Sequence, residues 1–271
     1  MEIRAIGISA GYGSKTVLHS VDFCAIPGEV VALLGPNGSG KTTLLNCLAK
    51  TVKLRKGEVL LGGRNLHSMN QKEVAKRVCV VPQFENPCFD FTVKEVVAMG
   101  LYAHEPVADA NERIQSAAES ACIAHLLNRT FDQLSGGEKQ RVLVARAVAQ
   151  DAPIMLLDEP TAHMDVGFQV ATMSLVSTLA RQGKTVVAAM HDLNLAAGFA
   201  DRAVLLERGR VAAEGTVNAV LQSGEIERAF GAAFDRVALH GTDRLVLAPQ
   251  TPPTLHDYRH PPIMPFGNYN P

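Results

Sequence analysis

Two short glycine-rich motifs and one pair of adjacent acids are the residues of this chain best suited to chemistry. The first motif reads Gly-Pro-Asn-Gly-Ser-Gly-Lys-Thr-Thr over residues 35–43. It fits the pattern G-x-x-x-x-G-K-[ST], in which glycines let successive backbone N–H groups converge on phosphate oxygens. Lys41 can then reach the β- and γ-phosphates of a nucleotide, and the Thr42 hydroxyl can ligate Mg²⁺. The predicted phosphate site consists of Gly35, Pro36, Asn37, Gly38, Ser39, Gly40, Lys41, Thr42 and Thr43.

The residues on either side of this motif support the same prediction. Residues 30–34 form a continuous apolar run, which predicts a buried strand. Residues 43–49 are apolar and helix-prone, so a bound phosphate would lie at a helix N-terminus, where it is favoured. A glycine turn with an incidental lysine would not require strand, loop and helix in this order, so we favour the phosphate site.

The second glycine motif, Leu134-Ser135-Gly136-Gly137-Glu138, follows about a hundred residues later. Ser135 and Glu138 have the spacing of a capping box, and an apolar helix follows them. Capping explains the serine, but it does not explain two glycines, which weaken a first helical turn. Adjacent glycines are useful where another group must approach the backbone closely. An anion held by exposed N–H groups is the natural candidate.

Asp158 and Glu159 follow an apolar segment at residues 154–157, which predicts a strand of a parallel sheet. Two adjacent carboxylates at the carboxyl end of such a strand are costly unless a cation or a polar substrate meets them. We expect Asp158 to hold Mg²⁺, through water. We expect Glu159 to orient and deprotonate the water that attacks the γ-phosphate. An acid pair that merely caps a helix is the alternative, and the two glycine motifs disfavour it.

Residues 134–141, Leu-Ser-Gly-Gly-Glu-Lys-Gln-Arg, resemble the signature motif of the ATP-binding cassette (ABC) ATPases. The resemblance implies an α/β fold of the P-loop NTPase class, with a RecA-like core, an antiparallel β layer and an inserted α-helical subdomain. It also implies that ATP is held between two copies of the chain and that hydrolysis releases them. The residues that would contact the ATP of the other copy are Ser135, Gly136, Gly137 and Glu138.

The same resemblance assigns roles to residues whose types alone are less informative. Asp158 and Glu159 match the Walker B pair of the family. Gln83, which is otherwise an ordinary loop residue, corresponds to a glutamine that contacts Mg²⁺ and the attacking water. His191 corresponds to the switch histidine, which hydrogen-bonds the γ-phosphate and stabilises the transition state. The predicted catalytic residues are therefore Glu159, His191, Lys41 and Gln83, and the predicted Mg²⁺ donors are Thr42, Gln83 and Asp158.

Two further positions resemble parts of the family site. Tyr12 lies between two glycines, where a turn residue is the ordinary interpretation, and it corresponds to an aromatic residue that stacks on adenine. Val17 is expected to pack nearby. Asp165 corresponds to the D-loop aspartate at the subunit interface. His163 and Met164 depart from the small residue and leucine usual before that aspartate, so we assign His163 no chemical role.

The composition limits the class of protein and its partners. The chain has 271 residues, of which 47 % are hydrophobic, enough for one sizeable domain with additions. Its net charge of −1 gives no electrostatic support for a nucleic-acid partner. No apolar run approaches the roughly 18 residues of a membrane-spanning helix, and the first residues lack the features of a signal peptide. The five cysteines have no metal-binding spacing and predict reduced, mostly buried thiols in a cytosolic protein.

The chain is predicted to hold one cassette followed by an extension. Residues 1–240 form the expected ATPase domain, with the helical subdomain over about residues 84–150. Residues 241–271 form a C-terminal extension, and its tail is proline-rich from about residue 249, with seven of the chain's 14 prolines.

The secondary structure expected within the cassette begins with strands and glycine turns over residues 3–34, which predict an antiparallel β layer. A core of strands and helices should follow as far as residue 61. Strands of a parallel sheet and a hairpin turn are expected later in the chain, at residues 78–81, 154–157, 185–189, 203–206 and 207–210.

A single cassette with no predicted membrane span needs partners to transport anything. We expect a second copy of the chain, integral membrane permease subunits and, indirectly, a substrate-binding protein. The chain would then lie at the cytoplasmic face of the inner or plasma membrane as a peripheral subunit. Residues 90–100 and 191–202 are similar to the ATPases that import iron–siderophores, haem and vitamin B12, which predicts an ATP-hydrolysing subunit of a metal-chelate importer. Zinc, manganese and molybdate importers share parts of these segments, so they stay open, as does export.

Other interpretations make different use of the same residues. Residues 84–100, with Phe84, Phe89 and Phe91, could form the groove for the permease's coupling helix or belong to the subdomain core. A DNA-repair ABC ATPase is disfavoured, because the interval between the glycine motifs is short and lacks the heptads of the long coiled coil that such relatives insert. A ribosomal ABC ATPase is disfavoured, because those relatives carry two cassettes in one chain and this chain carries one. A subunit that binds ATP without hydrolysing it is disfavoured by the presence of Lys41, Asp158, Glu159 and His191.

Overall fold

The computed structural model describes residues 1–83, 90–104, 108–238 and 244–250. Within these ranges, no helix is both long enough and apolar enough to cross a membrane. The described strands are β1 (Ile3–Tyr12), β2 (Lys15–Ala25), β3 (Val30–Leu34), β4 (Leu54–Leu61), β5 (Arg64–Asn65), β6 (Val78–Val81), β7 (Ile154–Asp158), β8 (Thr185–Ala189), β9 (Arg202–Glu207), β10 (Arg210–Thr216), β11 (Phe234–Ala238) and β12 (Leu245–Pro249). The described α-helices are α1 (Lys41–Leu48), α2 (Gln71–Ala75), α3 (Val93–Ala98), α4 (Ala110–Ser120), α5 (Gly136–Gln150), α6 (Val166–Arg181), α7 (Leu193–Phe199), α8 (Val217–Gln222) and α9 (Glu225–Phe230).

The central sheet has six strands in the order β10-β9-β3-β8-β7-β6. The five strands from β9 to β6 are parallel, and β10 is antiparallel to β9 at the edge. Every residue of β3, β7 and β8 is buried, which explains why these segments are continuous apolar runs in the sequence. The parallel strands carry the loops after β3, β6, β7 and β8 to one edge of the sheet, where the predicted catalytic residues lie.

The two faces of the central sheet are covered by different cores. On β3, Val31 and Leu33 belong to a core shared with α1 and strands β1, β2 and β4. Their neighbours Val30, Ala32 and Leu34 belong to a second core, shared with helices α3 to α9. This alternation follows from the two-residue period of a strand, and it makes the sheet the middle layer of the fold.

A four-stranded antiparallel sheet, in the order β2-β1-β4-β5, lies on the α1 side of the central sheet. Two sequence predictions are therefore wrong in detail. Residues 30–34 belong to the central sheet rather than to the antiparallel layer, and residues 54–61 return to that layer by pairing with β1. The burial of Val59 and Leu61, between more exposed neighbours, is the pattern of a strand with one covered face.

Helices α3, α4 and α5 lie between β6 and β7, where the inserted helical subdomain was predicted. Capping boxes start α3, at Thr92 and Glu95, and α5, at Ser135 and Glu138, and they satisfy otherwise unpaired N–H groups. The buried residues of these helices continue the core on that face of the sheet. Phe91 is partly buried against this core, which favours the core alternative for it. Phe84 and Phe89 lie outside the described residues.

The C-terminal extension is bound to the cassette where it is described. β11 and β12 pair in an antiparallel two-stranded sheet, so the boundary predicted at residue 240 falls between two strands that pair with each other. Asn194 of α7 donates to the Leu247 carbonyl oxygen at 3.1 Å and accepts from the Leu247 N–H at 2.7 Å. The rest of the proline-rich tail, from residue 251, lies outside the described residues.

Candidate functional site

The loop between β3 and α1 has backbone conformations that favour glycine. Gly35, Gly38 and Gly40 have φ angles of 140°, 76° and 110°. A Cβ on Gly35 would lie 2.2 Å from the carbonyl oxygen of Leu206, and one on Gly40 would lie 2.8 Å from Cδ2 of Leu18. The glycines are therefore needed both for the turn itself and for its close packing against β9 and β2.

Two polar side chains of this loop are buried in a way that suits an anion. The Lys41 side chain is buried, and its Nζ donates to the carbonyl oxygens of Gly35 at 2.7 Å and Pro36 at 3.2 Å. Burial lowers the pKa of Lys41, and the acids at the end of β7 oppose this shift. The buried Ser39 hydroxyl has no hydrogen-bond partner among the described residues. A cation and an unpaired hydroxyl at a helix N-terminus fit a bound phosphate.

Asp158 is the last residue of β7 and is buried at the same edge of the sheet. Burial raises the pKa of Asp158. A hydrogen bond from Thr42 and the charge of Lys41 oppose the rise, and Glu159 adds to it. Thr42 and Gln83 both line the cavity described below. Their hydroxyl and amide oxygens, with the Asp158 carboxylate, are the hard donors that Mg²⁺ prefers, so this set of residues fits that ion.

Glu159, Gln83 and His191 meet just beyond the carboxyl ends of β7, β6 and β8. Gln83 Nε2 donates to Glu159 Oε2 at 2.7 Å, and His191 Nδ1 lies 3.6 Å from the same oxygen. Glu159 has a φ of 49°, which is uncommon for a residue other than glycine, and its N–H donates to the Ala189 carbonyl oxygen at 3.1 Å. The backbone and Gln83 thus hold the carboxylate, and the Glu159 side chain remains 16 % exposed.

A cavity of about 640 Å³ joins this acid to the phosphate loop and to the antiparallel sheet. The predicted site residues that line it are Val17, Asn37, Gly38, Gly40, Lys41, Thr42, Thr43, Gln83 and Glu159. Of the residues predicted to bind or hydrolyse the chain's own ATP, those not among its walls are Tyr12, Gly35, Pro36, Ser39, Asp158 and His191. Tyr12 lies at the tip of the β1–β2 hairpin, half exposed, and its hydroxyl oxygen accepts from Asn46 Nδ2 of α1 at 3.4 Å.

Four residues that the sequence did not indicate complete the cavity: Lys15, Thr16, His19 and Arg208. They come from two hairpins that contact the phosphate loop. The Gly209 N–H donates to Ser39 O, and the His19 N–H donates to Gly209 O, both at 2.9 Å. No motif marks these positions, because surface lysines and arginines are common and only the packing of the hairpins brings them here. Lys15 and Arg208 add positive charge that suits a polyphosphate.

The second glycine motif lies at the start of α5, and its residues are not among the walls of the cavity. The Ser135 hydroxyl and N–H donate to the Glu138 carboxylate, and these hydrogen bonds lower the pKa of Glu138. A Cβ on Gly137 would lie 2.8 Å from the backbone oxygen of His163, and one on Gly136 would lie 3.3 Å from His163 Cβ. The group that approaches these glycines is therefore the loop after β7 of the same chain.

That loop leads to Asp165, which is exposed and precedes α6 without a side-chain capping bond.

Two further contacts fix α5 against its surroundings. The Arg141 guanidinium stacks on the Phe168 ring of α6 at 3.8 Å, and Gln140 Nε2 donates to the Pro82 carbonyl oxygen at 3.2 Å. The second glycine motif is thus held against both the loop that precedes Asp165 and the residue next to Gln83.

A phosphate loop after a central parallel strand, with acids at the end of a neighbouring strand, defines a P-loop nucleotide-binding protein. Residues 18–162 match the family described as ABC transporter, and this chain belongs to that family.

Relatives of similar sequence match most of the chain. It is 45 % identical over 220 residues to the hemin import ATP-binding protein HmuV of Nocardia farcinica, a match that covers 80 % of this chain and 76 % of the relative. It is 36 % identical to the ferric enterobactin transport ATP-binding protein FepC of Escherichia coli, with 84 % and 87 % covered. It is 38 % identical to the cobalamin import ATP-binding protein BtuD of Halobacterium salinarum, with 90 % and 61 % covered.

Solved structures confirm the predicted ABC ATPase fold. A transporter described as of the metal-chelate type, in an inward-facing conformation, superposes with a TM-score of 0.78 at 26 % identity, covering 92 % of this chain and 97 % of the other. The dimeric ABC cassette MJ0796, in a post-hydrolysis state with ADP and Pi, superposes with a TM-score of 0.72 at 28 % identity, covering 79 % and 98 %.

Proposed function

We propose that this chain is the ATP-hydrolysing subunit of an ABC importer that energises uptake of a metal chelate through a separate membrane permease. The observation that carries the proposal is the Glu159 carboxylate, held by Gln83 at 2.7 Å beside the cavity that contains Lys41. The substrate class of iron–siderophore, haem or cobalamin is supported by the named relatives, which import hemin, ferric enterobactin and cobalamin.

ATP binding would use the phosphate loop and the hairpin walls of the cavity. Residues 35–43 receive the phosphates, and Lys41 turns from the carbonyl oxygens of its own loop to the β- and γ-phosphates. Tyr12 stacks on the adenine, with Val17 beside it. Thr42, Gln83 and Asp158 supply the oxygen atoms that would hold Mg²⁺, which when bound neutralises charge on the β- and γ-phosphates.

Hydrolysis would use the cluster beyond β6, β7 and β8. Glu159 takes a proton from the attacking water as a general base, and Gln83, which donates to that carboxylate, keeps it aimed at the cavity. His191, whose side chain is 60 % exposed, can swing to donate a hydrogen bond to the γ-phosphate and stabilise the charge of the transition state. The remaining stabilisation comes from Lys41.

A second copy of the chain would complete the site. Ser135, Gly136, Gly137 and Glu138 are not among the walls of the chain's own cavity, and Ser135 and Gly136 are exposed at the start of α5, where they could contact the ATP of the other copy. Asp165, exposed beside them, would lie at the interface. Dimeric cassette structures support this arrangement. The assembly would sit at the cytoplasmic face of the membrane on its permease, which receives substrate from a binding protein.

The substitution Glu159→Gln tests the proposed role of Glu159 as a general base. Glu159→Gln keeps the shape of the side chain and removes its basicity, so ATP binding should persist while phosphate release falls by about 10²- to 10⁴-fold. Size-exclusion chromatography with ATP should show a long-lived dimer. Glu112→Gln, on the exposed surface of α4, is the matched control and should turn over normally. Normal phosphate release by Glu159→Gln would remove that residue from its proposed role.

The transport function needs a separate experiment, because an ATPase assay does not identify a partner. Purification of the tagged chain from the membranes of the cells that naturally produce it should recover an integral membrane subunit. The ATPase activity should depend on that subunit. Recovery of a zinc, manganese or molybdate permease, or of an exporter, would change the substrate class. Stimulation of the ATPase by DNA or ribosomes instead would contradict transport.

A further inference from the structure

Arg55, an exposed residue of β4, holds the tip of the β1–β2 hairpin. Its Nη1 donates to the Ser14 carbonyl oxygen at 3.2 Å and to the Thr16 hydroxyl at 2.8 Å. Its Nη2 donates to the carbonyl oxygens of Gly13 at 2.7 Å and Lys15 at 3.1 Å. One guanidinium therefore contacts every residue from 13 to 16, and each of its two terminal nitrogens donates to two acceptors. A lysine ammonium lacks the planar fork that reaches several acceptors at once.

The backbone of β4 is irregular at Arg55. Ser9 of β1 pairs with Lys56 and the next residue, Ala10, pairs with Leu54, so Arg55 is an extra residue opposite β1. An extra residue of this kind is a β-bulge, which bends the strand and redirects a side chain. Bulges of this type are often found beside functional sites. The bulge accounts for an arginine of a neighbouring strand that reaches across to a hairpin tip.

The segment that Arg55 holds is a wall of the proposed nucleotide site. Lys15 and Thr16 line the cavity, and Tyr12 directly precedes the contacted residues and pairs with Lys15. Tyr12 is 52 % exposed, and the hydrogen bond that its hydroxyl accepts from Asn46 Nδ2 is long at 3.4 Å. The ring is thus placed chiefly by the backbone of its hairpin, and Arg55 fixes that backbone.

We propose that Arg55 is a positioning residue that orders the hairpin tip so that Tyr12 can receive the base of the nucleotide. The inference rests on the proposed function, since it assumes that the cavity binds ATP with adenine toward Tyr12. If Arg55 has this role, the free energy of nucleotide binding divides into contacts to the phosphates and contacts to the base. The described hydrogen bonds of the Arg55 guanidinium go to residues 13–16 and none goes to the phosphate loop, so contacts of that loop to phosphate should change little without Arg55, whereas contacts to the base should depend on it. Lys15, a cation in the segment that Arg55 holds, can account for a small effect on phosphate binding.

Two probes distinguish these parts by calorimetric titration: ADP, which carries the base, and inorganic pyrophosphate, which does not. Neither is hydrolysed at a γ-phosphate, so binding is measured without turnover. Loss of an aromatic stack on a base corresponds to roughly fivefold to a hundredfold in affinity. Arg55→Ala should therefore weaken ADP binding about fivefold or more and change pyrophosphate binding less than about twofold. Arg55→Lys should restore only part of the ADP affinity, since it keeps the charge and loses the fork.

A double-mutant cycle with Tyr12→Ala locates the effect. If Arg55 acts through Tyr12, then Arg55→Ala should add little in the Tyr12→Ala background. The matched control is Arg64→Ala, an exposed arginine of β5 in the same sheet, which should bind ADP normally. Equal loss for ADP and pyrophosphate, or full additivity with Tyr12→Ala, would overturn the proposal. An unmodified chain that binds neither probe would instead refute the proposed nucleotide site, and the role of Arg55 with it.

Discussion

Gly137 of the second glycine motif and Gly167 at the start of α6 should differ sharply in their tolerance of alanine, and Gly167 is the matched control. Gly137 is the second residue of α5 and follows the capping residue Ser135 by two positions. Gly167 is the second residue of α6 and has the same relation to Asp165. Neither glycine has a positive φ, so alanine can adopt both backbone conformations. The two positions differ in the room for a side chain. A Cβ added to Gly167 has no atom within 4 Å, whereas one added to Gly137 would lie 2.8 Å from the backbone oxygen of His163.

The surroundings of the two glycines determine the expected changes in the free energy of unfolding. Replacement of glycine by alanine at a compatible helical position stabilises by about 0.4–1 kcal/mol, because the unfolded chain has fewer conformations to lose. At Gly137 the new methyl group must displace the backbone of the loop after β7, and overpacking of this kind costs about 1–3 kcal/mol. The helix contribution cancels between the two variants, so their free energies of unfolding should differ by about 1–3 kcal/mol. Gly136→Ala, with a Cβ 3.3 Å from the side chain of His163, should fall between them.

Thermal unfolding followed by circular dichroism, without nucleotide, measures the series on one chain. A change of 1 kcal/mol shifts the midpoint by about 2–4 °C in a protein of roughly this size. Gly167→Ala should raise the midpoint, and Gly137→Ala should lower it or leave it well below the Gly167→Ala value. Since no ATP is present, contacts to the other copy's nucleotide cannot contribute. An equal rise for both alanines would show that the backbone of His163 does not crowd Gly137 in solution.

Two other perturbations test the buried and C-terminal parts of the fold. Burial raises the pKa of Cys47 and of Cys79 to about 12, so on the order of one thiol in ten thousand is ionised at pH 8, whereas Cys122 is exposed. N-ethylmaleimide followed by peptide mass spectrometry should label Cys122 before Cys47 and Cys79, and equally fast labelling of the buried pair in the folded protein would contradict their placement. Asn194→Ala leaves one N–H and one C=O of β12 without their partner, a cost of about 1–3 kcal/mol for a buried group. It should lower the melting temperature and speed trypsin cleavage after Arg244, and unchanged cleavage would show that β12 is held by other contacts.

Sequence reasoning succeeded where a feature is local. The apolar runs at β3, β7 and β8 are strands because each is buried on both faces, and burial on both faces is visible as an unbroken run. The phosphate loop and the acid pair are local as well, since each follows its strand directly. The structure therefore brings Gln83 and Glu159 into contact as a consequence of two parallel strands ending at the same edge.

Features that depend on packing between distant segments could not be predicted from the sequence. The sequence gives no sign that β4 pairs with β1, because that pairing depends on the whole antiparallel sheet. Lys15 and Arg208 have no motif, since an exposed cation on a hairpin is ordinary until its neighbour is known. The close approach at Gly136 and Gly137 was expected from their lack of side chains. That the approaching group is His163 of the same chain could not be inferred from the spacing of residues in the sequence.

The contacts of α5 have a mechanical consequence for the two halves of the nucleotide site. The glycine motif at its start is predicted to face the ATP of another copy, and it packs on the backbone of His163, four residues after Glu159. One turn further, Gln140 donates to the carbonyl oxygen of Pro82, the neighbour of Gln83. Gln83 in turn holds the Glu159 carboxylate. Because these groups are in direct contact, a shift of α5 must either break the bond to Pro82 and open the packing at His163 or carry both loops with it. In the second case, the predicted contact of α5 with the ATP of another copy would move Pro82, Gln83 and the Glu159 carboxylate that Gln83 holds.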